Sequence, residues 1–151
     1  MSKSRLAGSV VLVVEDEPLV ALEVTAALRA AGARVLTAGY LETGLFTTDN
    51  PELSAAVIDL QLSDGNGTAI CRRLRHLGVP FVVHTGFPPM LMRGEWPDVH
   101  VISKPARPEQ IISALIGLLH STDNNRNSRV RIARVHSITT RSLRSETGRE
   151  K

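Results

Sequence analysis

Cysteine is nearly absent from this chain. Cys71 stands alone among 151 residues, which excludes an intramolecular disulfide and fits a reducing, cytoplasmic setting. Long apolar runs are absent as well, since none approaches the ~18 residues of a membrane span. The opening KSRLAGSVVLVV has the basic-then-apolar order of a secretory signal, but EDEP comes at once after it. With no small-residue cleavage site there, the run reads as a buried strand instead. No internal repeat is present, which excludes solenoids and propellers. Aromatic residues make up 3% of the chain, and none lies beyond residue 120. The C-terminal stretch therefore lacks the stacking platforms of single-stranded nucleic-acid binders.

Charge is plentiful but uneven. Residues 1–120 carry 10 Lys and Arg against 12 Asp and Glu, whereas 121–151 carry 8 against 3. The net charge of +3 thus belongs to the tail, STDNNRNSRVRIARVHSITTRSLRSETGREK. Rich in Arg, Ser, Thr and Asn and lacking a sustained period, this tail is expected to stay disordered. Its diffuse charge is weak ground for nucleic-acid or membrane-surface contact. A hydrophobic fraction of 42% suffices for one core. The expected organisation is one folded domain over 1–120 and a basic tail over 121–151, too short to be a winged-helix output domain.

Within 1–120, short β-branched runs alternate with amphipathic ones, the pattern of an α/β domain with a parallel sheet between helices. Strands are expected at 10–14, 34–38, 55–59, 81–84 and 99–102. A first helix opens at Pro18, suited to a first turn, and stops at Gly32. Its apolar positions Leu19, Leu22 and Ala26, with Val20, Val24 and Leu28, suggest a broad buried face. Further helices are expected at 41–48, at 68–78 with Ile70, Leu74 and Leu77 inward, and from Pro108 onward. FPPMLMRGEWPD, after the fourth strand, holds three prolines and a glycine, so only a turn of helix near 90–93 is expected there. The Asn66–Gly67 pair is a hairpin signal, but the residues after it are helix-periodic, so no hairpin is expected.

The polar residues gather where such a sheet binds ligands, just past the carboxyl ends of its strands. Strand one ends in Glu15, Asp16 and Glu17, strand three in Asp59, strand four in Thr85 and Gly86, strand five in Ser103, Lys104 and Pro105. Singly, each has an ordinary reading: acids before a helix suit its dipole, and Asp59 could merely open a turn. Together they are more specific. Clustered carboxylates repel one another, and a hard cation such as Mg²⁺ relieves them. With an ammonium and a hydroxyl opposite, the pocket is short of one tetrahedral anion. A phosphoryl group supplies it, with Asp59 as the carboxylate nucleophile.

VLVVEDEP, VIDLQLSDGNG, HTG and ISKP, in this order over about 8–120, resemble the receiver domain of two-component response regulators. The resemblance implies a flavodoxin-like, doubly wound five-stranded parallel sheet of order 2-1-3-4-5, with the fourth helix short or missing here. It implies Asp59 as phosphoacceptor and Mg²⁺ held by Asp16 directly, by Glu15 through water, by Asp59 and by the main-chain carbonyl of Gln61. Thr85 matches the switch hydroxyl and Lys104 the phosphate-contacting lysine, followed by a Pro105 that is typically cis. The implied partners are a sensor histidine kinase or histidine phosphotransfer protein upstream and an unidentified protein downstream. The signal would be read through a change in the loop from Gly86 to Pro97.

Three positions depart from the pattern. Ser63 stands where Pro is usual, Val101 replaces the switch aromatic, and Gly86 replaces the usual Ala. With Phe87 next, Thr-Gly-aromatic is similar to a subgroup of alphaproteobacterial single-domain receivers that work with histidine kinases of the HWE or a related type. The expected role is phosphorelay signalling rather than an enzyme's. A dehalogenase-type phosphatase would need a second Asp at position 61, which is Gln. The alternative is a pseudo-receiver that binds partners through its surface or basic tail without phosphorylation.

Overall fold

The computed structural model describes residues 4–86 and 94–145. In chain order its elements are β1 Val10–Val14, α1 Pro18–Ala30, β2 Arg34–Ala38, α2 Leu41–Thr47, β3 Ala55–Ile58, β4 Gln61–Leu62, β5 Gly65–Asn66, α3 Thr68–Leu77, β6 Phe81–Thr85, β7 His100–Ser103 and α4 Pro108–Ser145. Five of the strands form one parallel sheet, ordered β2-β1-β3-β6-β7. Counting only these, the order is the expected 2-1-3-4-5.

Strands buried on both faces read as unbroken apolar runs, and VVLVV in β1 is buried throughout. Alternation then divides the core. Val11, Val13, Val57 and Val82 face one way, against Val24 and Leu28 of α1 and Ile111 and Leu115 of α4. Leu12, Val14, Ile58 and Val83 face the other, with Ile70 and Leu74 of α3 and with Trp96. Trp96 meets Phe81 edge-on with ring centroids 6.1 Å apart, and the Arg75 guanidinium carbon lies 4.4 Å above the Trp96 ring. Arg72 also pairs with Glu95 at 2.6 Å and Arg75 with Asp98 at 2.9 Å. The segment ahead of β7 is thereby clamped onto α3.

Several details correct the sequence expectations. Only one stripe of α1 can face the sheet: Val24 and Leu28 are buried, while Leu19 and Leu22, on roughly the opposite side at helical spacing, are 81% and 66% exposed. In α3 the buried residues are Ile70, Cys71 and Leu74; Leu77, last before the left-handed cap Gly78, is largely outside. A two-residue hairpin does exist, pairing β4 with β5, but it turns at Ser63 and Asp64 and places Asn66 in its second arm. β3 stops at Ile58 and β6 reaches Thr85. The short helix expected at 90–93 lies outside the described residues.

The tail also differs from expectation. α4 continues through Ser145, since 121–145 contain neither Pro nor Gly to interrupt it. Two compact units result, Met1–Leu119 and His120–Lys151. No described helix is long and apolar enough to cross a membrane.

Candidate functional site at the strand ends

Asp59 is placed by backbone on both sides. Its N–H donates to the Val14 carbonyl at 2.9 Å, and its side chain is held by the Gln61 N–H, which donates to Oδ1 at 3.1 Å. Gly67 makes this turn possible, since a Cβ there would collide with the Asp59 carbonyl oxygen. The carboxylate is 3% exposed as a side chain. A buried charge of this kind requires a partner.

Lys104 is that partner. Past the end of β7, its N–H donates to the Thr85 carbonyl at 2.8 Å, and the Lys104–Pro105 bond is cis. Its Nζ lies 2.7 Å from Glu15 Oε2, 3.0 Å from Asp59 Oδ2 and 3.4 Å from Glu17 Oε1. Burial alone would lower the Lys104 pKa; the hydrogen bonds to Glu15 and Asp59 outweigh it and hold the pKa above its ordinary value. Glu15 is pushed up by burial, against the opposing effect of Lys104. Two buried carboxylates therefore share one ammonium, and negative charge is left over.

Oxygens of Glu15, Glu17 and Asp59 lie within 4.8 Å of one another. This all-oxygen set fits a hard cation such as Mg²⁺. No sequence signal assigns Glu17 a ligand role; the chain bends at Asp16 into the extended N-cap residue Glu17 of α1, which leaves the Glu17 carboxylate near that of Glu15. Their backbone and side chain are also linked, as the Glu17 N–H donates to Glu15 Oε1 at 3.1 Å. Asp16, between them, is half-buried and outside that triplet. Thr85 ends β6 fully buried. On the other face of that strand His84 is buried too, its Nε2 without a hydrogen-bond partner; burial, then the Lys104 charge, hold its pKa below the usual histidine range. Cys71 is remote from this chemistry, with burial raising its pKa to about 12.

One further residue has no signature in the sequence. The α2 N-cap, Tyr40, makes no side-chain cap. Instead Asp64 reaches across from the hairpin turn, its Oδ1 accepting the Leu41 N–H at 2.7 Å. Capping residues are normally sought at the helix start itself, so no local signal marks a cap supplied from the next loop.

A carboxylate between two backbone turns, a lysine before a cis-prolyl bond and acids at the first strand end have an immediate counterpart among known proteins, for the response regulator receiver domain matches residues 11–116. The chain belongs to that family. The receiver is similar to the phyllosphere-induced regulator PhyR of Methylorubrum extorquens, 29% identical over 111 residues. That match covers 70% of this chain and 41% of PhyR, so the chain spans well under half of its curated relative. Among solved structures, a receiver protein from Sinorhizobium medicae superposes with a TM-score of 0.71 at 21% identity, covering 76% of this chain and 97% of that one. A variant of PhyR from Bartonella quintana, described as an anti-anti-sigma factor, gives 0.70 at 23% identity, with 80% of this chain and 52% of that one covered. In this receiver Ser63 sits in the hairpin turn and Val101 is half-buried on β7.

Proposed function

We propose that the receiver is a response regulator that accepts a phosphoryl group on Asp59, in a Mg²⁺-dependent reaction, from a sensor histidine kinase or histidine phosphotransfer protein. The observation that carries this reading is Lys104 Nζ set 3.0 Å from Asp59 Oδ2 and 2.7 Å from Glu15 Oε2. In the proposed step an Asp59 oxygen attacks phosphorus as the phosphorus–nitrogen bond of the donor imidazole breaks, and the imidazole leaves with its electron pair. Lys104 turns from the carboxylates to a phosphoryl oxygen, and the Thr85 hydroxyl donates to another. The Gln61 N–H keeps Asp59 oriented through its second oxygen. Glu15, Asp16, Asp59 and the Gln61 carbonyl are the proposed metal ligands, and Glu17, whose carboxylate lies within 4.8 Å of those of Glu15 and Asp59, is proposed as a further one. Bound there, Mg²⁺ would neutralise charge on the phosphoryl oxygens. A carboxylate nucleophile needs that neutralisation more than it needs a base, since it already carries its electron pair.

Exposed Leu19 and Leu22 on α1 lie beside Glu15–Glu17 in sequence and support docking of a phosphodonor protein near the site. Downstream, we propose readout by a protein partner through the loop that follows β6, between the buried Thr85 and the segment clamped by Arg72 and Arg75. The test is labelling with acetyl phosphate and Mg²⁺. Wild type should be labelled and Asp59→Asn should not. Equal labelling of the two, or labelling that survives chelation of Mg²⁺, would overturn the assignment.

A further inference from the structure

The hairpin that follows Asp59 is too small to stand alone. β4 and β5 contribute two residues each, with Gln61 opposite Asn66 and Leu62 opposite Gly65, and an isolated two-stranded hairpin is marginal at best in water. Leu62 seats its middle in the core, so the rest of its order comes from what holds its base and its tip. At the base, the Gln61 N–H donates to Asp59 Oδ1 at 3.1 Å, and the Gly67 N–H donates to the Leu60 carbonyl at 2.9 Å. At the tip, Asp64 reaches α2: its Oδ1 accepts the Leu41 N–H at 2.7 Å and its Oδ2 the Glu42 N–H at 3.4 Å. Gly65 is pressed against the same helix, since a Cβ on it would collide with Leu41 Cδ2. The helix depends on the hairpin in return. Tyr40, its N-cap, supplies no side-chain cap, and its seven residues are too few for a helix to persist without tertiary support. Hairpin and helix therefore hold each other, and the Asp59 carboxylate anchors one end of the pair.

That anchor changes with the chemistry of Asp59, a step that rests on the phosphorylation proposed above. Hydrogen bonds to an ionised carboxylate are roughly twice as strong as neutral ones. Lys104 Nζ lies 3.0 Å from Oδ2, which marks Oδ2 as the oxygen that faces the incoming group. Once Oδ2 is bonded to phosphorus, Oδ1 is the carbonyl oxygen of a mixed anhydride and carries no formal charge. The Gln61 N–H then holds a weaker acceptor, and the base of the hairpin loosens. We infer that Asp64 is a positioning residue that carries the state of Asp59 to α2. With the carboxylate free, the hairpin is seated and Asp64 caps the helix; with Asp59 phosphorylated, the cap opens more often. The element that responds is the first turn of α2, beside Tyr40, which is 58% exposed. Because α2 packs over β2 and β1, this responsive surface lies across β3 from β6 and is separate from the loop that follows β6.

The full chain with Mg²⁺ present tests this by NMR, through solvent exchange of the Leu41 and Glu42 amides. Asp59→Asn sets a neutral amide beside the Gln61 N–H without any phosphate, so exchange at both amides should quicken by about threefold to tenfold, the scale of losing the charge from one hydrogen bond. Wild type treated with acetyl phosphate, its added mass confirmed, should respond alike. In Asp64→Ala both amides should exchange fast in every state, with no further response to Asp59→Asn. Asp64→Asn keeps an acceptor that suits capping and should restore the response. Absence of the added mass would overturn the phosphorylation of Asp59, while the coupling would still be decided by Asp59→Asn. Unchanged exchange at Leu41 and Glu42 in Asp59→Asn or in phosphorylated wild type, or a response of full size in the Asp64→Ala background, would overturn the inference.

Discussion

Glu15 and His84 sit about the same site but respond to acid in opposite senses. Burial raises the Glu15 pKa, so the fold prefers its protonated form, and its contribution to stability grows as pH falls. Burial and Lys104 lower that of His84 from 6.5, so the fold prefers neutral imidazole. That contribution is complete above 6.5 and is lost as pH falls through the folded value. His84→Gln removes only the second effect. Urea midpoints measured from about pH 7 down to pH 5, the histidine range, should show wild type losing stability relative to His84→Gln. Parallel curves would mean that the ring is solvated. Gly67 gives a sharper prediction at this scale. A methyl group there would be driven into the Asp59 carbonyl oxygen, and backbone cannot yield as a flexible side chain does. Gly67→Ala should cost about 1–3 kcal/mol, the usual range for overpacking, and slow labelling of Asp59. Chemical denaturation would measure the first effect and acetyl phosphate labelling the second.

Among the elements, α1 divides its work between two stripes. Val24 and Leu28 hold the sheet while Leu19 and Leu22 meet solvent. Replacing both exposed leucines with Glu should leave thermal stability and acetyl phosphate labelling near wild type but slow transfer from a phosphorylated kinase. Unchanged transfer would remove α1 from the docking surface. This helix also shows how far sequence alone can lead. Its limits are readable because Pro18 suits a first turn and Gly32, at φ 97, comes just after its end. Its buried stripe is not, because Leu19, Leu22 and Ala26 form as regular an apolar row as Val20, Val24 and Leu28. The sheet strands are legible because burial on both faces leaves unbroken apolar runs, and hence the meeting of Glu15, Asp59 and Lys104 is legible too. Glu17 and Asp64 are harder, for their partners Lys104 and Leu41 are set by tertiary placement. The Trp96 clamp likewise depends on Arg72 and Arg75, separated from it in sequence by β6. Breaking it with Arg75→Ala, which removes both the Asp98 pair and the guanidinium over the ring, should shift the emission of the single Trp to longer wavelength as water gains access. An unchanged spectrum would show that Phe81 and the core alone hold the indole.

At the scale of the whole molecule, the question is what the long C-terminal helix adds. Ile111, Ile112, Ala114 and Leu115 are buried in the core, so the start of α4 belongs to the receiver's fold. Residues 123–129 are all exposed. An isolated helix in water gains little from backbone hydrogen bonds alone, because nucleation is costly and most helical stability comes from packing an apolar face. The residues past Ser121 should therefore add helix signal without adding much to the stability of the first unit. Ending the chain after Ser121 should reduce total helical ellipticity while keeping unfolding free energy within about 0.5 kcal/mol, the scale of surface changes, and Asp59 labelling should be undiminished. The same truncation removes eight basic residues against three acidic ones. Any binding to a polyanion should therefore fall with the tail and, in the intact chain, weaken steeply with salt. A truncated chain that fails to fold, or that is no longer labelled, would mean that the segment after Ser121 supports the receiver itself.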